Sequence, residues 1–280
     1  MRNINSDEIT AAVKKISMDA NYFLGDDVIR AIKKSVDKEE SPLGREILNQ
    51  ILENAKIAGN DQMPLCQDTG LAAVFVELGS DVHINGLTLE DAIQEGIRKG
   101  YGDGYLRKSM VADPLRRKNT GDNTPGVISI RITPGDKVKI TILPKGGGSE
   151  NKSAIKMLKP SDGEDGVKDF VVETVKKAGG DPCPPIIVGV GIGGSFDKCA
   201  YLAKKSLLRE IGSTHPDPYY ADMEKELLER VNNIGIGPQG LGGRITALAV
   251  HIEAHPCHIA SLPVAVNTQC HSARHKEVII

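Results

Sequence analysis

The segment spanning residues 127–143 constrains the fold more than any other. Residues 127–133 alternate apolar and polar side chains, Pro134-Gly135-Asp136 forms a turn, and residues 137–143 alternate again. Period-two patterning on both sides of a tight turn predicts a β-hairpin. The chain before it has helical periodicity instead. Ser6-Asp7-Glu8 caps a helix running to about Tyr22, with Ile9, Val13 and Ile16 on one face. Asp26-Asp27 opens a second helix ending near Asp37. Ser41-Pro42 opens a third, with Ile47, Leu48, Ile51 and Leu52 on its apolar face and Gly59-Asn60 as its stop. A helical N-terminal part followed by mixed strands and helices defines an α+β fold.

The same reading gives a strand over residues 71–78 and a helix over 87–99 with Leu89, Ile93 and Ile97 buried. Further on it gives helices over 167–177, 195–211 and 220–231, and strands over 186–190 and 245–252. Residues 101–124 form a long loop carrying Arg107, Lys108, Arg116, Arg117 and Lys118 among turn formers, and long loops in compact folds are often functional. No repeat or low-complexity linker divides the chain, so residues 1–280 are expected to form a single domain.

Composition removes several classes of function. A formal net charge of -2 and 4% aromatic residues leave no basic, base-stacking footprint, so nucleic acid is not an expected partner. No apolar run has the length that spanning a membrane requires, and the polar first 20 residues lack the apolar centre of a signal peptide, so a cytoplasmic protein is expected. The five cysteines are odd in number and widely dispersed, which is unlike a disulfide framework and leaves metal binding or burial.

Candidate chemistry concentrates in four places. Pro64-Leu65-Cys66-Gln67-Asp68-Thr69-Gly70 puts a thiol, an amide and a carboxylate side by side just before a strand, where a thiolate can hold a soft metal while its neighbours address a polar substrate. Read alone, Cys66 equally suits a buried thiol beside an Asx turn. Three prolines fix the backbone around Cys183, and Cys270 sits among small polar residues near the C-terminus. Gly146-Gly147-Gly148 lets backbone amides approach an anion, although it lacks the phosphate-loop spacing. Gly189-Val190-Gly191-Ile192-Gly193-Gly194 has the spacing of a dinucleotide fingerprint, but no βαβ unit is expected around it, because residues 215–219 form a proline-broken turn followed by another helix. Cys199 is read as core. His255, Cys257, His258, Cys270 and His271 offer a local zinc site as a competing reading, with spacing that matches no finger pattern. Three thiols without a CxxC pair leave one position of a metal centre open, as Lewis-acid chemistry needs.

Taken together, PLCQDTG (64–70), LRKSMVADPLRRKNTGDNTP (106–125), GGGSENKS (146–153), the CPP at Cys183 and HIASLPVAVNTQCHSAR (258–274) resemble the iron-sulfur hydro-lyases of the class I fumarase and L-tartrate dehydratase family. The match is to their N-terminal or alpha-subunit region. The resemblance implies a 4Fe-4S cluster held by Cys66, Cys183 and Cys270, with its fourth iron left for substrate. It implies substrate contacts from Gln67, Asp68 and Arg107 and from a backbone amide of Gly147 or Gly148, and an active-site histidine, His258, that serves a neighbouring subunit. Asp68 and His258 are the catalytic candidates. Single-chain members carry a further domain, whereas this chain stops ten residues after Cys270. The two-subunit pattern therefore implies a beta subunit carrying the C-terminal catalytic domain, and an alpha-alpha contact within a heterotetramer. The implied reaction is reversible hydration of the small dicarboxylate fumarate to L-malate, with L(+)-tartrate dehydration as the alternative inside the family. A non-catalytic metal-sensing or scaffold protein is the alternative from another class, and it would have no use for Arg107.

Overall fold

The computed structural model describes residues Met1–Ile280. The chain begins β1 (Arg2–Asn5), α1 (Ser6–Tyr22), α2 (Asp26–Lys38), α3 (Pro42–Asp61), β2 (Leu71–Gly79), β3 (Val82–Asn85), α4 (Leu89–Asp103), β4 (Val127–Thr133) and β5 (Val138–Lys145). It continues with a single-turn α5 (Gly147–Glu150), β6 (Ala154–Leu158), α6 (Gly163–Ala178), β7 (Ile186–Gly193), α7 (Phe196–Ser206), α8 (Pro218–Asn232), β8 (Ala247–His255), β9 (Leu262–Gln269) and β10 (Lys276–Ile279). The α+β class stands as read. No helix is long and apolar enough to cross a membrane.

These elements form two compact units, each discontinuous in sequence: Met1–Leu24, Ala55–Gly147 and Arg274–Ile280 make the first, and Gly25–Asn54 with Gly148–Ala273 the second. In the first unit, Asn5 caps α1 by accepting from the Asp7 N–H at 2.9 Å, and Thr88 caps α4 by accepting from the Asp91 N–H at 3.1 Å. Ile9, Val13 and Ile16 of α1 pack with Ile93 and Ile97 of α4 over one face of a four-stranded sheet, where Ala72, Val74, Val76, Val138, Ile140 and Ile142 complete the core.

The order of that sheet, β10-β5-β2-β4, overturns the expected hairpin. The two alternating segments are both strands, but they do not pair with each other. β2 lies between them, parallel to β4 and antiparallel to β5, with Val74 opposite both Ile128 and Ile142. The turn survives because Gly79, Ser80 and Asp81 at the end of β2 donate to the carbonyls of Lys137, Thr133 and Gly135 and so fill the gap between the splayed strands. Ala72, Ala73, Val74 and Val76 make β2 apolar on both faces, which suits a central strand, whereas β4 leaves Ile132 72% exposed and suits an edge.

In the second unit the sheet order is β6-β9-β7-β8. Its central strand β7 is buried along its whole length and separates two helical layers. Ile186, Val188, Val190 and Ile192 face α6 and α8, and α7 lies on the other side with Cys199 and Ala203 against Ala265. β7 and β8 are parallel and joined through α7 and α8, so the crossover judged missing from the sequence is present. The fingerprint glycines nevertheless serve packing. A Cβ on Gly189 would lie 2.1 Å from the Ala203 carbonyl oxygen, and one on Gly191 2.0 Å from that of Cys199, so both glycines let α7 close onto β7 and leave no amide for a pyrophosphate. The helix expected over 195–211 stops at Ser206. The strands β1, β3, β6 and β10 were not anticipated.

Candidate functional site

The loop of residues 64–70 sits in the first unit between α3 and β2. Its entry is pinned where the Leu65 N–H donates to the Asn21 carbonyl at 2.9 Å. The Asp68 N–H points at Cys66 Sγ, 3.4 Å away, the type of amide-to-sulfur bond that tunes an iron-bound thiolate. Cys66 and Asp68 are half-buried and Gln67 is exposed. The exit needs a glycine: Gly70 has φ +70°, and a Cβ there would stand 2.5 Å from the carbonyl carbon of Lys145.

Three successive carbonyls of this loop are each held by a buried side chain. Arg274 donates through Nη2 to the Asp68 carbonyl. Tyr101 donates to the Thr69 carbonyl at 2.8 Å and approaches that of Gly70 at 3.2 Å. Asn123 Nδ2 donates to the Gly70 carbonyl at 3.1 Å. Burial pushes the Tyr101 phenol far above its ordinary range, so it stays a donor. Thr69 Oγ1 donates to the Arg107 carbonyl at 3.0 Å, which sets the exposed Arg107 beside the loop.

The Asp68 carboxylate already has partners. Oδ1 accepts from the Gly70 N–H at 3.0 Å and Oδ2 from the Gly147 N–H at 2.8 Å. The amide expected to hold an anion thus holds one, supplied by the chain itself. Cys66, Gln67, Asp68, Arg107 and Gly147 are brought together in the first unit, whereas Gly148 belongs to the second.

In the second unit, Cys183 is exposed and has φ +55°. Its carbonyl accepts from the His271 N–H at 3.2 Å, and His271 Nδ1 lies 3.0 Å from the same oxygen. Gln239 ties in the third strand of chain, donating to the Pro184 carbonyl from its backbone at 2.8 Å and from Nε2 at 2.9 Å, with Nε2 also 3.0 Å from His271 Nδ1. The loops of Cys183 and half-buried Cys270 are therefore joined. His258 lies apart, on the exposed turn after β8. Its Nδ1 accepts from the Ala260 N–H at 3.1 Å, and the neighbouring Ile259 is 93% exposed.

Each unit offers soft donors. All five cysteines are free thiols. Cys66, Cys183 and Cys270 stand on loops, whereas Cys199 is fully buried in α7, where burial pushes its thiol up. Thiol side chains suit a soft metal better than a hard cation. Neither unit gathers three His, Cys, Asp or Glu side chains into a finished metal cage, and the histidines and cysteines of residues 255–271 make no zinc cage of their own.

A family model described as fumarate hydratase (Fumerase) matches residues 10–279. The chain belongs to this family. Two relatives cover nearly all of it. The "Putative L(+)-tartrate dehydratase subunit alpha" of Methanocaldococcus jannaschii is 46% identical over 273 residues, 95% of each chain. The L(+)-tartrate dehydratase subunit alpha of Escherichia coli is 34% identical over 276 residues, covering 98% of this chain and 91% of that one. Membership of the fumarate hydratase family makes the chain an enzyme of the hydro-lyase class. In this Fumerase-family chain, sequence reasoning named the loop and Arg107 as candidates but did not single out Tyr101, Asn123, Arg274 or Gln239. All four act on backbone carbonyls, which carry no signature of their own.

Proposed function

We propose that this chain is the alpha subunit of an iron-sulfur hydro-lyase that interconverts fumarate and L-malate, with Cys66, Cys183 and Cys270 as ligands of a 4Fe-4S cluster. The observation carrying the reading is the Cys66–Gln67–Asp68 loop, whose thiol, amide and carboxylate are presented beside Arg107 and the Gly147 amide on a backbone fixed at three successive carbonyls. When bound, the cluster supplies a Lewis-acidic iron that polarises the carbon-oxygen bond being made or broken.

The chain's own residues do the rest. Arg107 grips one substrate carboxylate with its fork of donors. Gln67 orients the substrate through its amide. A second anionic oxygen takes the Gly147 N–H in exchange for Asp68, and the released carboxylate turns to the substrate. Hydration adds hydroxide to one alkene carbon and a proton to the other, and Asp68 and His258 are the groups of this chain that we assign to moving the proton. His258, on its exposed turn, reaches a neighbouring subunit's site, in keeping with an alpha-alpha contact in a heterotetramer. A cytoplasmic beta subunit carrying the C-terminal catalytic domain completes the site, and residues 1–280 act as one functional domain within that assembly.

The names of the relatives favour a second reading, in which the substrate is L(+)-tartrate. Anaerobic purification with and without a beta subunit, measuring iron, sulfide and turnover of both substrates, decides between them. Fumarate hydration by the complex, with sulfide bound and oxygen-sensitive activity, supports the first reading. Zinc without sulfide overturns the cluster assignment, and tartrate turnover without fumarate turnover selects the second. Arg107→Ala should raise KM by roughly tenfold or more. An unchanged KM removes Arg107 from the site.

A further inference from the structure

Arg274 stands first among the largest fully buried side chains, at 2% exposure. Only Nη2 has a partner, the Asp68 carbonyl, while Nε and Nη1 are buried with none. Nothing in the packing requires a guanidinium here, and burying one whose charge is not fully matched is costly. Its charge also reaches Tyr101: burial drives that phenol up and Arg274 works against the rise. Arg274, Tyr101 and Asn123 come from three different parts of the first unit, yet they converge on the consecutive carbonyls of Asp68, Thr69 and Gly70. Core packing alone would be served as well by a methionine. Fixing three peptide planes in a row gives orientation that packing does not.

We propose that Arg274 is a positioning residue, which sets the orientation of the Cys66–Asp68 backbone and so of the thiol and carboxylate that the loop presents. What the loop presents them to rests on the hydro-lyase reading. The rigidity of the loop does not, and it can be measured separately. A charged N–H on a carbonyl is stronger than a neutral one, so its loss should loosen the loop by about tenfold.

The test compares the wild type with Arg274→Lys and Arg274→Ala in the full chain, assembled with its beta subunit where kinetics are read. Amide hydrogen exchange over residues 66–70 should speed up about tenfold in Arg274→Ala and less in Arg274→Lys, with the rest of the first unit near wild type. In the loaded complex, KM should rise and kcat should fall, with Arg274→Lys less affected than Arg274→Ala. Wild-type exchange and kinetics in both variants overturn the proposal. So does faster exchange spread across the whole first unit, or failure of both variants to assemble, because each marks a general structural role. If exchange rises only in the loop but the loaded wild type turns over neither fumarate nor L(+)-tartrate, the positioning role stands and the proposed substrate site fails.

Discussion

Lowering the pH should destabilise this protein through one buried histidine. His251 lies on β8 at 2% exposure, and its Nδ1 is buried without a partner. Burial, reinforced by the positive charge of Arg209, pushes its pKa down to about 4, while Glu224, Asp27 and the Ser206 backbone pull the other way without prevailing. Half-buried Arg209 is itself paired with buried Glu224. Between about pH 6.5 and about pH 4 the unfolded chain binds a proton at this position that the folded chain refuses. The folded state is therefore fully favoured above the unfolded pKa and loses ground as pH falls toward the folded one. At about 1.4 kcal/mol per unit of pKa difference, the loss is about 2 kcal/mol between pH ~7 and pH ~5 and about 3 kcal/mol by pH ~4. The assay is urea unfolding of the wild type and of His251→Leu at each pH. The difference between the two curves removes the carboxylates that titrate in the same range. Wild-type stability should fall against the variant by the stated amounts, and parallel curves would refute the reasoning.

Gly191→Ala should destabilise the second unit by about 3 kcal/mol, because the new methyl meets backbone at 2.0 Å and α7 must move off β7; thermal unfolding checks this, and a wild-type midpoint would mean the contact is not tight. Glu39 is fully buried, and its carboxylate accepts from the backbone N–H groups of Ser41, Arg244 and Ile245 at 2.9, 2.9 and 2.7 Å. Burial works to raise its pKa, but those bonds outweigh it and hold it below the usual range, so this carboxylate's contribution is present above the unfolded pKa and lost as pH falls through the folded one. Glu39→Gln should cost about 3 kcal/mol near neutrality by denaturant unfolding, and a cost below about 0.5 kcal/mol would show that the three amides find other partners.

Element type was readable where one face is apolar. Ile9, Val13 and Ile16, or Ile93 and Ile97, mark their helices because burial on one side imposes the period. Pairing was not readable. Alternation over residues 127–143 specifies which faces are wet, but it does not say that β2 will slip between two strands joined by a tight turn. The glycine spacing at residues 189–194 misled for a related reason. A glycine admits close approach by whatever is near, and here the neighbour is helix α7. Cys66, Gln67 and Asp68 could be named because chemistry selects their side chains, and Gly147 because a glycine run bares its backbone amides. What their arrangement adds is the bond from Asp68 to Gly147, since two residues each suited to a substrate are equally suited to each other. The discontinuous units left no linker to see, because the boundary after Asn54 falls inside helix α3.

The position of β10 in the chain has a consequence for synthesis. Its partner β5 is translated some 130 residues earlier, before most of the second unit. A nascent chain therefore carries β5 with one edge bare, and carries the Asp68 carbonyl without Arg274, until the residues after Ala273 have left the ribosome. The first cysteine loop is made early and is locked into shape only after the second unit's residues have been made.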